Sequence, residues 1–318
     1  MTKEREYAAR LFLHWLNERF HRSFALEAGG ELDLYSAADG DTKLSMLPAT
    51  LVEGNDAWNN LRTELEARLD STRPGSYLLW VPPGGVLPDE EPEQSEWIRR
   101  VVLGASKLAS GRTGEVRLPV RMMLGKVRDE GGYASVTGGL GRYWININPH
   151  LEGSFYLDSR ALTRFTKNET EREELYEQIG LLSQGLSKGD AAEFEHEDAW
   201  TVQRIPRGAA GAGMTDGWSI TGCPPGFDPN DGAQVRRVLR RRLREAAETF
   251  GSGREAIKTL VFIGAYEYME YENAGPAMRG FDPALTLPFD IISLITDAEV
   301  KPVLMSRAID FNVEPTTP

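Results

Sequence analysis

The residues whose types and spacing most readily suggest chemistry are arginines. In the run Arg236-Arg237-Val238-Leu239-Arg240-Arg241-Arg242-Leu243-Arg244, Arg236, Arg240 and Arg244 recur every four residues. On a helix that interval makes one stripe, with Arg237 and Arg241 beside it and Val235, Leu239, Leu243 and Ala246 on an apolar stripe. A guanidinium presents five donors in a fixed fork and grips phosphate or carboxylate oxygens in pairs. Such a ridge can hold a phosphate backbone, an acidic protein partner, or the chain's own acids.

Carboxylates form the second set. Glu18 follows Leu11 by seven residues, which places it near the buried face of an N-terminal helix, and Asp33 lies in the extended stretch Glu31-Leu32-Asp33-Leu34-Tyr35. Carboxylates converging from neighbouring elements hold divalent metals, which activate water. His14 and Glu18 are four apart on the same helix, a spacing that allows a metal pair but supplies no third ligand. The segment from Ala192 to Asp198 has one histidine among acids. Adjacent residues in a loop do not converge on one ion, so it reads as a solvated acidic loop. Gly138-Gly139-Leu140-Gly141 lacks both the Lys-Ser/Thr pair and the following helix of a phosphate loop and reads as a turn. The rings of Tyr266-Glu267-Tyr268-Met269-Glu270-Tyr271 could stack on bases, but the alternating acids favour core packing or a partner surface. Cys223, the one cysteine, can form no internal disulfide and reads as an inert loop residue.

These groups need a scaffold, and the periodicities predict an α/β one. Ala8, Leu11, Phe12, Trp15 and Phe20 share a face of a helix over 4–20. Strands are expected at Ser23–Glu27, Glu31–Tyr35 and Lys43–Val52, with turns at Gly29-Gly30 and Ala38-Asp39-Gly40-Asp41. Pro48 argues for an edge position or a strand end. A helix capped at Asn55 or Asp56 carries Trp58, Leu61, Leu65 and Leu69, and the run Ser76–Val81 reads as a buried strand. A helix follows at Ser95–Ser110. Four short extended stretches between glycine turns (Val116–Leu124, Tyr133–Thr137, Tyr143–Ile147 and Ser154–Asp158) suggest a mainly antiparallel subdomain. Further helices are expected at Glu169–Leu186 and Asp231–Phe250. Further strands are expected at Trp200–Ile205, Gly217–Thr221, Thr259–Ile263, Phe289–Ile295 and Pro302–Met305. The expected organisation is an α/β core over 1–111, a β-rich insertion over 112–228 and a C-terminal α/β part over 229–318 that completes a mixed sheet flanked by helices.

The order helix, three strands, helix, strand over the first eighty residues, with Glu18 and Asp33, resembles the restriction-endonuclease-like, or PD-(D/E)XK, core. The resemblance implies a Mg²⁺ held by Glu18, Asp33 and an acid on the third strand, with a lysine two residues later. Here those positions are Ser45 and Leu47. A serine hydroxyl is neutral and a poor Mg²⁺ ligand, so the expectation is a catalytically impaired, nucleic-acid-associated relative. Its site would comprise Glu18, Asp33 and Ser45, with the arginine ridge on phosphate. Fold analogy extends this to defence against foreign DNA.

Composition bounds these readings. The chain has 318 residues, 41% of them apolar and 26% charged, the balance of a folded globular protein. Its formal charge of −12 opposes general nucleic-acid binding at long range, but it permits a local basic surface and suits a protein partner. No apolar run approaches the ~20 residues that span a bilayer, and the charged N-terminus does not read as a secretory signal. The expected setting is cytoplasmic, without membrane contact. The alternative function is a non-enzymatic protein-interaction subunit that uses an acidic surface and the arginine helix.

Overall fold

A computed structural model describes residues 3–27, 34–51, 54–206, 216–225, 232–250, 256–264 and 280–306. Along the chain come α1 (Lys3–Phe20), β1 (Ala25–Leu26), β2 (Tyr35–Asp39), β3 (Thr42–Thr50), α2 (Asp56–Asp70), β4 (Ser76–Val81) and α3 (Glu93–Ala105). Then follow β5 (Thr113–Arg128), β6 (Gly132–Gly138), α4 (Trp144–Ile147), β7 (Gly153–Ser159), α5 (Glu169–Gln184) and β8 (Ala191–Arg204). The last are β9 (Gly217–Gly222), α6 (Gly232–Phe250), β10 (Ile257–Ile263), β11 (Ile291–Thr296) and β12 (Glu299–Met305). The fold is α/β. Among the described residues the strands make two mixed sheets of six, ordered β1-β2-β3-β10-β11-β12 and β6-β7-β5-β8-β4-β9. The chain divides into two compact units, residues 1–114 with 201–318, and residues 115–200.

In the larger unit, β3, β10 and β11 run parallel. Parallel strands covered on both faces need apolar side chains on both, which explains the unbroken runs Leu260–Ile263 and Ile291–Ile292. One face packs Leu44, Met46, Val261, Ile263, Ile291 and Ile295 against Tyr7, Leu11, Phe12 and Leu16 of α1. The other packs Leu47, Leu260, Phe262, Ile292 and Leu294 against α6. Helix α1 also meets Leu78 and Trp80 of β4 and Ile205, so its apolar stripe is wide. Asn55 caps α2 as expected, its side chain accepting from Trp58 N at 2.9 Å.

The β2–β3 hairpin closes at the expected turn, with Asp39 opposite Thr42 and Gly40 at φ +58°. The strand before it is described as Tyr35–Asp39; the Gly29-Gly30 turn and most of the expected strand Glu31–Tyr35 lie outside the described residues. Pro48 lies near the end of β3, as expected. It pairs with Val261 of β10, while among the described residues β2 pairs with β3 no further along than Met46.

Charge enters the interior along the N-terminal half of α1. Arg10, 5% exposed, donates Nε and Nη2 to Pro206 O at 3.2 and 2.8 Å. Its Nη1 reaches Ser76 Oγ at 3.2 Å and Glu6 Oε1 at 3.4 Å, and Ser76 donates in turn to Asp216 at 2.8 Å. Tyr7 donates to Gly217 O at 2.6 Å, and burial pushes its hydroxyl pKa up. On α2, Glu66 accepts from Ile220 N at 2.8 Å and Asp70 from Trp218 N at 2.5 Å, and burial raises Glu66 above the usual carboxylate range. These bonds join α1 and α2 to β9 and to the end of β8.

The smaller unit packs Met122, Leu124, Ala134, Phe155, Leu157 and Phe194 under Leu175, Tyr176 and Ile179 of α5. β5 and β7 are antiparallel, and β6 and β7 parallel. Two expectations are corrected here. Tyr143–Ile147 is not a strand but a short helical turn running into α4. Ala192–Asp198 is not a loop but part of β8, with Phe194 and Asp198 buried and Glu193, Glu195 and Glu197 exposed. The compact unit covers residues 115–200, and β9 pairs with β4 of the larger unit.

Candidate polyanion-binding ridge

Helix α6 forms as its pattern requires. Val235, Leu239, Leu243 and Ala246 are buried against the sheet. That fixes the rotation of the helix and turns the arginine stripe away from the core. Arg237, Arg241 and Arg244 are exposed, and Arg236 and Arg240 half-buried. At 1.5 Å per residue, Arg236, Arg240 and Arg244 step along the axis by about 6 Å and span about 12 Å.

The half-burial of Arg236 and Arg240 has one cause in Phe281. The two guanidinium carbons lie 5.1 and 4.5 Å from its ring centroid. Each such contact contributes about 0.5–1 kcal/mol at an exposed site. It also restrains two flexible side chains. A stacked guanidinium keeps the donors at its edge available, which readies it for a planar anion.

Not every arginine of the run is available. Arg242 donates Nε to Leu51 O at 3.2 Å and Nη1 to Glu245 at 2.9 Å, tying α6 to the segment after β3. Arg241 lies 3.7 Å from the same carboxylate. Arg237, Arg240 and Arg244 have no ion pair among the described residues. Six arginines on α6 face only Glu245 and Glu248 on the same helix, a local excess of positive charge on a chain whose net charge is −12.

The carboxylate set is not assembled in this way. Glu18 is in the last turn of α1, its side chain 72% exposed, with Oε1 3.3 Å from His14 Nε2. Its angular position matches the buried face, but in the last turn of the helix the residue is exposed, so the expected burial fails. Ser45 is half-buried on β3. Its neighbours Leu44 and Met46 face α1, so strand alternation sends Ser45 with Leu47 to the α6 side of the sheet. Glu18 and Ser45 therefore do not converge on one Mg²⁺. Asp33 lies outside the described residues, as do Gly208–Gly213 and the run Tyr266–Tyr271. Among the described residues no group of three His, Cys, Asp or Glu side chains could hold a metal. Cys223 is a buried free thiol.

Sequence reasoning missed Phe281. It lies some forty residues beyond the ridge, and only the packing of residues 280–306 on α6 brings it there. No helix of the described residues is long and apolar enough to cross a membrane. Compared with protein-family models, curated proteins and solved structures, the chain matches none of them.

Proposed function

We propose that this protein is a nucleic-acid-associated binding component that holds a phosphate backbone along α6. The observation that carries this reading is the line of arginines on α6, two of them stacked on Phe281 and three without an ion pair among the described residues. Protein–protein interfaces centre on apolar and aromatic anchors and exclude charge from their middle. The ridge is the reverse, charge along its length with its apolar residues turned inward. That composition suits nucleic-acid backbones, where interfaces are polar and strongly positive. The net negative charge of the chain is screened beyond about 10 Å at 0.1 M ionic strength, so the local field governs close contact.

Binding rather than hydrolysis is the activity proposed. Of the positions that the nuclease resemblance assigns, Glu18 is solvated beside His14 and Ser45 is neutral and on the other face of the sheet. Contacts of this kind position a duplex without reading its sequence.

The test is fluorescence anisotropy with a labelled duplex of about 20 base pairs, in low salt, for the wild type and Arg237→Ala/Arg240→Ala/Arg244→Ala. The three residues are surface or half-exposed, so the variant retains the fold. Saturable binding that the variant loses supports the proposal. Binding of polyglutamate in preference to the duplex, lost in the same variant, transfers the ridge to an acidic protein partner and overturns it.

A further inference from the structure

The unit formed by residues 115–200 carries a second feature, independent of the ridge. Its α5-covered face is apolar. Strand alternation leaves Tyr133 of β6, Tyr156 and Asp158 of β7, Met123 of β5 and Glu193 and Glu195 of β8 on the opposite face. Tyr133 and Tyr156 are 52% and 38% exposed, large values for aromatic side chains within strands. Trp144, also exposed, packs edge-on against Tyr133 with ring centroids 6.1 Å apart.

Tyr156 is presented in a particular way. Its register partner on β5 is Gly125. A methyl group at Gly125 would lie 2.1 Å from Tyr156 Cε1 and 2.2 Å from Cζ. The ring therefore lies across the glycine, against the sheet, and turns one π face outward. Two residues further along each strand, about 7 Å away, Met123 pairs with Asp158. There Met123, Asp158 and Glu193, with Arg121 and Arg160, line an open groove of about 500 Å³.

The charges of this groove indicate what it accepts. Arg160 closes on Asp158, Nε to Oδ1 at 2.9 Å and Nη2 to Oδ2 at 2.5 Å, so the groove already seats one guanidinium, from its own strand end. Arg121 lies 3.5 Å from Glu195. Glu193 has no ion pair among the described residues. The unit as a whole has fifteen Asp and Glu against ten Lys and Arg in residues 115–200. Outward π faces beside carboxylates attract planar cations, arginine above lysine. The same carboxylates repel phosphate.

We propose that this face docks an extended, arginine-bearing segment of a protein partner, with one guanidinium stacked on Tyr156 and paired with Glu193. Apolar side chains of the same segment would cover Tyr133 and Trp144.

The test uses a labelled Arg-Ser-Arg-Ser-Arg-Ser peptide and its lysine counterpart, read by anisotropy against the full chain. The variants are Tyr156→Ala, Glu193→Gln and Gly125→Ala, the last displacing the ring from its seat. Saturable binding of the arginine peptide is expected, several-fold tighter than the lysine peptide. Each variant should weaken it by about fivefold, while the triple ridge variant leaves it unchanged. Glu193→Gln alters an exposed side chain and keeps the test decisive if either of the others fails to fold. Absence of saturable binding overturns the proposal. So does equal binding of the two peptides unaffected by all three substitutions, which is charge attraction alone. Tyr156-dependent binding of oligo(dT) in place of the peptide, or self-association lost in Tyr156→Ala, also overturns it, in favour of base stacking or a second copy of the chain.

Discussion

Arg10 is the residue whose loss should cost the larger unit most. Arg10→Ala removes both donors to Pro206 O and the bond to Ser76. It also removes the cation beside the Glu6 carboxylate, whose side chain is 9% exposed. Charge-assisted hydrogen bonds contribute about 1.5–3 kcal/mol each. Removing one partner of a buried ion pair costs about 3–5 kcal/mol, because the remaining charge stays buried. Values of this kind are not additive, so about 3–5 kcal/mol is expected for the whole substitution. Against a total stability of about 5–15 kcal/mol that loss is large. Arg10→Met combined with Glu6→Leu removes both charges and fills the space, and should cost clearly less than Arg10→Ala alone. The assay is urea unfolding followed by tryptophan fluorescence, since Trp80 and Trp218 are buried in this unit. A loss below about 1 kcal/mol for Arg10→Ala would refute the reasoning. So would a double variant as damaged as the sum of the single changes.

Phe281→Ala removes the seat of two ridge arginines without removing charge; duplex affinity should fall by about three- to tenfold while its salt dependence stays the same. His196 is half-buried, its Nε2 has no partner among the described residues, and burial pushes its pKa below the usual imidazole value. The folded state then binds fewer protons than the unfolded one, so this contribution is complete above about pH 6.5 and is lost as pH falls towards the lowered value. The urea stability of the wild type relative to His196→Phe, which packs on Phe165, should fall from pH 7 to pH 5. Asp198 accepts from Thr163 N, Thr163 Oγ1, Arg164 N and Trp200 Nε1. An amide can accept at one atom only, so Asp198→Asn should cost about 1–3 kcal/mol for each donor it orphans, measured by thermal or urea unfolding.

What the sequence disclosed follows from how each signal is encoded. The orientation of α6 was legible, because Val235, Leu239, Leu243 and Ala246 repeat at helical spacing and leave one rotation possible. The parallel strands β10 and β11 were legible as short apolar runs. The end of β8 was legible as the strand Trp200–Ile205, but its first half was not, although Phe194, His196 and Asp198 alternate with three glutamates; its acidic composition concealed a period of two. Tyr143–Ile147 misled in the opposite sense, since a few apolar residues cannot distinguish a strand from a helical turn. The turn at Ala38-Asp39-Gly40-Asp41 was legible from its composition, and it sets the register of β2 on β3. At the candidate sites, the arginines themselves could be read from their spacing. Phe281 under Arg240, and Tyr156 across Gly125, could not, because both are meetings between segments distant in sequence. The same limit applied to Glu18 and Ser45: each was placed on the expected element, but whether they share a face depends on helix length and strand alternation together.

The central claim is that α6 neutralises phosphates, and the salt dependence of duplex affinity tests it most directly. If Arg237, Arg240 and Arg244, the ridge arginines with no ion pair among the described residues, each neutralise one phosphate, log affinity against log salt concentration should fall with a slope of about −2.7. In the Arg237→Ala/Arg240→Ala/Arg244→Ala variant the slope should relax by about 2.7, towards zero. Equal slopes for the two proteins, at any affinity, would mean that the ridge does not carry the contact.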